Sequence, residues 1–160
     1  MLKRTVFIIP VIFLFTGCLK STNDPICPYT ESNVVAPASE IAILQSYINA
    51  TYPAAIQHSS GLFYEIISPG AGATPGVCSN VTVKYSGYLT NGTKFDENLT
   101  GLTFTLGQLI LGWQKGLPLI QKGGSINLYI PPSLGYGASQ VGTIPPNSIL
   151  VFVIQLVDVQ

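Results

Sequence analysis

Apolar and polar positions change their period along this chain, and the changes mark out its elements. Val6 to Phe15 is an unbroken apolar run behind Lys3 and Arg4. Leu19 to Pro37 is polar, carries prolines and has no period. From Ser39 on, Glu40, Ile41, Ile43, Leu44, Tyr47 and Ile48 follow helical spacing. They predict a helix of about three turns, with Ser39 as its N-cap and its end near Pro53. A helix that short is marginal alone, so it is expected to pack on the domain. Beyond Gly61 the period becomes two. Leu62 to Ile67 is a strand stopped by Pro69-Gly70. Val81, Val83 and Tyr85 alternate with Thr82, Lys84 and Ser86, which buries one face. Asn91-Gly92 signals a hairpin. Thr103 to Leu106 is a further short strand. Leu111 to Gly116 is a short helix limited by Pro118 and its glycines. Ile126, Leu128 and Ile130 alternate up to Pro131-Pro132. Leu150 to Val159 is nearly continuous and predicts a strand buried on both faces. The sum is an α+β domain, an antiparallel sheet with one small helix.

Composition narrows the function classes. Of 160 residues, 47% are hydrophobic, so a full core is available to one domain. Charged residues are 9%, against about 25% in an average soluble domain. Seven basic and seven acidic residues cancel, and no basic stripe exists, which excludes phosphate-driven nucleic-acid binding. Three cysteines and one histidine are too few for the usual zinc centres, so no metal is expected. His58 is the one histidine, and no Ser-His-Asp set is recognisable.

The first seventeen residues read as a secretory signal, too short in their apolar part to span a bilayer. Phe15-Thr16-Gly17-Cys18 resembles a bacterial lipoprotein lipobox, with Phe15 in place of the usual leucine. The resemblance implies cleavage before Cys18, lipid on its sulfur, and attachment to a membrane of the cell envelope. Several acyl chains anchor stably, because each buried CH₂ contributes about 0.8 kcal/mol. Two thiols then remain, Cys27 and Cys78. Either they form a disulfide, which an envelope compartment permits, or they stay as free buried thiols. A bridge is expected to clamp the tether and the helix onto the sheet rather than to shape a site. Residues 18–60 are then tether and short helix, and residues 61–160 the main domain.

A set of motifs in fixed order carries a second resemblance. Val83-Lys84-Tyr85-Ser86-Gly87 precedes Asn91-Gly92-Thr93-Lys94-Phe95-Asp96. Phe104-Thr105-Leu106-Gly107, Ile110-Leu111-Gly112-Trp113 and Gly116-Leu117 follow. Ile130-Pro131-Pro132, Tyr136-Gly137, Ile144-Pro145-Pro146-Asn147 and Leu150-Val151-Phe152 close the series. From Gly61 to Gln160 the chain is similar to the FKBP-type peptidyl-prolyl cis-trans isomerases. The resemblance implies a β half-barrel wrapped over a short helix, with a shallow apolar pocket between them. It also implies an enzyme without cofactor, acting on proline-containing unfolded or partly folded polypeptides. The rival expectation is an FKBP-like module that holds clients with little turnover. The helix near Ser39 is much shorter than the dimerisation helices of some family members, so a monomer is expected.

The resemblance assigns roles residue by residue. Trp113 is the pocket floor, and Tyr85, Phe95, Phe104 and Phe152 are walls. Leu109 and Ile110 form the lip, with the Ile110 N–H donating to a substrate carbonyl. Tyr136 offers its hydroxyl to the carbonyl before the proline. Asp96 faces the pocket, held by the Tyr85 hydroxyl. Leu102, where an aromatic is common, and Ile144 complete the substrate-binding set. The chemistry agrees with such a set. Turning an X-Pro bond breaks no bond, so it needs a site that prefers the twisted amide, not a nucleophile.

Overall fold

The computed structural model describes residues 27–160; the signal sequence and the lipobox, Cys18 included, lie outside the described residues. Helix α1 spans Ala38–Thr51, and the strands are β1 Ile56–Gln57, β2 Phe63–Ser68, β3 Asn80–Leu89, β4 Lys94–Thr105, β5 Ser125–Ile130 and β6 Leu150–Val159. A second helix, α2, spans Leu111–Gly116 and is bracketed by 3-10 turns at Leu106–Gln108 and Leu117–Leu119. All strand pairs are antiparallel, in the order β1-β2-β5-β6-β3-β4. The expected α+β class and the curved sheet over a short helix are both present.

The inner face of the sheet holds the main core. Val81, Val83 and Tyr85 of β3, Ile126, Leu128 and Ile130 of β5, and Phe152, Ile154 and Leu156 of β6 pack with Trp113 and Leu117. Helix α2 lies flat on β5 because it presents glycine there. A Cβ on Gly112 would come within 2.5 Å of Ile130, and one on Gly116 within 2.5 Å of Leu128. The outer face holds a second cluster. Leu44 and Ile48 of α1 sit on Phe63, Tyr129 and Val151. Thus α1 does pack on the domain, on the side away from α2.

Three details correct the sequence-based picture. Helix α1 begins two residues earlier, with Pro37 at the N-cap position and no side-chain cap; Ser39 lies inside the first turn. Proline suits a helix start because its φ is preset. The strand read at Thr103–Leu106 is only the end of β4, which runs back to Lys94. Strand β6 is not buried on both faces: it alternates, with Val153 50% exposed and Val157 36% exposed. Of the two arrangements open to Cys27 and Cys78, the structure holds the disulfide, with Cα atoms 5.8 Å apart and both residues exposed.

Among the described residues no helix is long and apolar enough to cross a membrane, and no group of His, Cys, Asp or Glu could hold a metal ion.

Candidate active site

Between α2 and the curled end of the sheet lies a cavity of about 190 Å³. Its lining is Tyr85, Phe95, Asp96, Phe104, Leu109, Ile110, Trp113, Tyr136 and Phe152. Strand pairing explains how distant residues meet there. Tyr85 and Gly87 point inward on β3, Gly87 stands opposite both Asp96 of β4 and Phe152 of β6, and Val81 stands opposite Phe104. Helix α2 then lifts Trp113 into the centre.

The aromatic rings meet edge to face, the arrangement their quadrupoles favour. Trp113 is 5.2 Å from Tyr85 and 5.2 Å from Phe152, with interplanar angles of 82° and 88°. Phe95 stands edge-on to Phe152 at 5.5 Å. Trp113 and Phe152 are almost fully buried, at 4% and 3% exposed, so the floor is fixed by packing.

Polar groups sit at the mouth. The Tyr85 hydroxyl donates to Asp96 Oδ2 at 2.7 Å. Burial, and then the bond and the charge of Asp96, push the Tyr85 hydroxyl up to about 12. It therefore stays a donor throughout the neutral range. Burial and, after it, Asp96 also raise the Tyr136 hydroxyl. The Ile110 N–H has no backbone acceptor among the described residues, while the Ile110 carbonyl accepts from Trp113 N at 3.0 Å as α2 begins. The site thus offers an apolar floor, a free N–H, a phenol and one oriented carboxylate.

Two residues assigned to the substrate-binding set lie outside this lining. Leu102 is opposite Val83 on β4 yet 43% exposed, because β4 is an edge strand whose register slips between Val83 and Tyr85. Ile144 is 5% exposed and belongs to the main core, next to an isolated bridge with Val141. Other residues near the site left no trace in the sequence pattern. Gln114 Nε2 donates to the Leu109 carbonyl at 2.7 Å and to the Gly107 carbonyl at 3.3 Å, tying the lip to α2. Tyr29, from the polar tether, reaches Gln108 at 2.7 Å. A lone aromatic in an otherwise polar stretch was the one hint available for Tyr29.

A family model described as FKBP-type peptidyl-prolyl cis-trans isomerase matches residues 72–157, which hold the whole lining. The chain belongs to the FKBP-type peptidyl-prolyl cis-trans isomerase family. It is 47% identical over 106 residues to the isomerase FkpA of Buchnera aphidicola (Schizaphis graminum), covering 64% of this chain and 42% of the relative. With FkpA of Escherichia coli K12 the identity is 46% over 105 residues, covering 64% and 39%. The match therefore spans about two fifths of the length of these curated relatives. The crystal structure of Escherichia coli FkpA superposes with a TM-score of 0.69 at 41% identity, covering 77% of this chain and 60% of that one. A peptidyl-prolyl cis-trans isomerase structure from Pseudomonas syringae gives 0.68 at 29% identity, covering 78% and 97%. The FKBP fold is shared with both, and the family's β half-barrel over α2 is the frame that holds the cavity.

Proposed function

We propose that this chain is a peptidyl-prolyl cis-trans isomerase acting on X-Pro bonds of exported polypeptides. The observation that carries the reading is the buried Trp113 floor, walled edge-on by Tyr85 and Phe152 below an open mouth. Rotation about a peptide bond faces a barrier of about 18–20 kcal/mol from amide resonance. Twisting the amide reduces its charge separation, so an apolar, water-poor wall favours the twisted form over the planar one. In this reading the proline ring rests on Trp113. The Ile110 N–H donates to a carbonyl of the bound chain, and the Tyr136 hydroxyl donates to the carbonyl before the proline. Asp96, fixed by Tyr85, is a preset charge at the mouth that orients the dipoles of the bound chain. No covalent bond to substrate forms, and the reaction asks for no cofactor.

The Cys27–Cys78 bridge supports an envelope setting, since disulfides persist in oxidising compartments. The basic, apolar leader ending in Gly17-Cys18 supports the same setting. We read residues 1–17 as removed, Cys18 as acylated, residues 18–60 as tether and helix, and 61–160 as a monomeric isomerase domain. Isomerisation of a short X-Pro peptide, followed without a coupled protease, tests the activity. Catalytic amounts should speed relaxation well beyond the uncatalysed tens to hundreds of seconds. A holding module would bind the peptide and leave that rate unchanged. Mass analysis of the mature protein without acyl chains on Cys18 would refute the anchor.

A further inference from the structure

The tether does more than join the leader to the domain. Residues 27–32 lie across the base of the pocket lip, and three sets of contacts fix them there. The first is the disulfide. Cys78 stands between two residues whose carbonyls hold the lip turn: Val77 O accepts from Gly107 N at 2.7 Å, and Ser79 O accepts from Leu106 N at 2.9 Å. The bridge therefore plants Cys27 beside the turn at Leu106–Gln108. The second is Tyr29. Its ring covers Gly107 so closely that a Cβ there would fall within 2.7 Å of the Tyr29 Cβ. Its hydroxyl accepts from Gln108 Nε2 at 2.7 Å, a bond across 79 positions of sequence. The third is on α2, where Lys115 Nζ donates to the Ser32 carbonyl at 2.5 Å.

We infer that Tyr29, held by the Cys27–Cys78 bridge, is a positioning residue for the Leu109–Ile110 lip of the pocket. The inference rests on the isomerase reading for its kinetic consequence and on the contacts above for its geometry. The lip turn is clasped from both sides. Tyr29 presses on Gly107 and Gln108 from outside, and Gln114 ties the Gly107 and Leu109 carbonyls from within. The Leu109 N–H closes the turn on the Leu106 carbonyl at 3.1 Å, and the free Ile110 N–H comes next in the chain. With the turn fixed, that N–H points at the bound chain without a search, so less ordering is left for binding. The inference departs from the expectation that the bridge clamps the tether without shaping the site. Tyr29 is not among the lining residues and bonds Gln108, which is not one either, so its effect is on where the lip stands, not on the reaction itself.

Tyr29→Ala, Tyr29→Phe and Gln108→Ala in the full mature chain test this. Tyr29→Ala should raise KM for an X-Pro peptide about fivefold while kcat stays within about twofold, as expected when uniform binding is lost. Tyr29→Phe keeps the ring over Gly107, so it should recover most of the loss. Tyr29→Phe and Gln108→Ala remove the same hydrogen bond, so together they should cost no more than one alone. Amide hydrogen exchange at Leu109 and Ile110 should quicken in Tyr29→Ala while β5 and β6 stay protected. Reduction of the disulfide in the wild type should move KM in the same direction. Unchanged KM and unchanged exchange in Tyr29→Ala would overturn the inference. So would an equal fall in protection across the whole sheet, which marks general destabilisation. Unchanged KM on reduction would remove the bridge from it. If the wild type turns over no X-Pro peptide, the function is misread, and the exchange at Leu109 and Ile110 still decides whether Tyr29 sets the lip.

Discussion

On its inner face the sheet closes over α2, with Val83, Tyr85, Leu128, Phe152 and Ile154 around Trp113. On its outer face it carries α1, with Leu44 and Ile48 resting on Phe63, Tyr129 and Val151. Both faces are packed, but they differ in what their packing serves. The inner cluster opens at one end into the aromatic cavity. The outer cluster has no such aromatic floor, and its helix lies ahead of residues 72–157, which match the family. The inner face therefore belongs to the part that the family model matches, and on the outer face α1 covers an otherwise wet sheet. Ile41 of α1 packs against both clusters, and a hydrogen bond also crosses between them. Glu40 Oε2 of α1 accepts from Ser133 N at 2.9 Å, in the 3-10 turn Pro132–Leu134 that leads to Tyr136.

The difference can be broken from either side. The largest effect is expected on the inner face. Trp113→Ala removes the floor and should lower kcat/KM about a hundredfold, equal to about 2.7 kcal/mol of lost transition-state stabilisation. Asp96→Ala leaves the floor intact and should cost less. Stopped-flow or exchange-NMR rates on an X-Pro peptide would measure both, and full activity in both variants would show that the site is misplaced. On the outer face, Ile48→Ala should lower stability by about 2–5 kcal/mol through the lost methylenes and the cavity left behind. Its activity per folded molecule should stay within about twofold. Denaturant unfolding beside the same peptide assay would show it; a matching loss of activity would mean that the two faces are not independent.

A smaller effect is expected where the faces touch. Glu40→Ala leaves the Ser133 N–H without its charged acceptor and should cost about 1 kcal/mol, since the bond is only part-buried. The Tyr136 loop follows this turn, so a modest fall in kcat/KM should accompany the loss, and Glu40→Gln, which keeps an acceptor oxygen, should restore most of it. Activity that falls equally in Glu40→Gln would point to charge rather than to the hold on the turn.

The sequence is legible where side chains alternate in burial and fades where they do not. Strands β3 and β5 announce themselves because Val81, Val83, Tyr85, Ile126, Leu128 and Ile130 are buried at every second position. Most of β4 is silent. From Lys94 to Leu102 it is an edge strand, largely exposed, and its register slips, so its polar residues give no period of two. Strand β6 misleads in the opposite direction. Val153 and Val157 are apolar yet solvent-facing, so a run of valines looks doubly buried when it is not. All nine lining residues were readable, because the family's motifs name them. Leu102 and Ile144 show the limit of the same motifs, which give order along the chain but not which rim a side chain reaches. Tyr29 and Gln108 were unreadable for a plainer reason: they stand 79 positions apart, and no local pattern encodes such a contact.

The smallest expected effect concerns pH and lies where tether and sheet meet. His58 Nδ1 accepts from Ser60 N at 3.1 Å and lies 2.9 Å from the Ser60 hydroxyl, in the turn between β1 and β2. The Ser60 carbonyl in turn accepts from Ala36 N at 2.9 Å, just before α1. A proton on Nδ1 would forfeit the first of these bonds. Burial, and then the nearby Lys115, hold His58 below its ordinary 6.5. Glu31 also lines the cleft that His58 shares with Lys115, and its charge opposes that of Lys115. The folded chain therefore binds fewer protons at His58 than the unfolded chain just below pH 6.5. Stability from this group is present above that value and is lost as pH falls through it toward the lower folded pKa. Melting temperatures between pH 7.5 and pH 5.5 should fall slightly in the wild type and less in His58→Gln, whose side chain stays neutral. Because the turn holds Ala36, the fall should be accompanied by earlier proteolytic cleavage next to Ala36. An identical pH slope in the two proteins would remove His58 from the account.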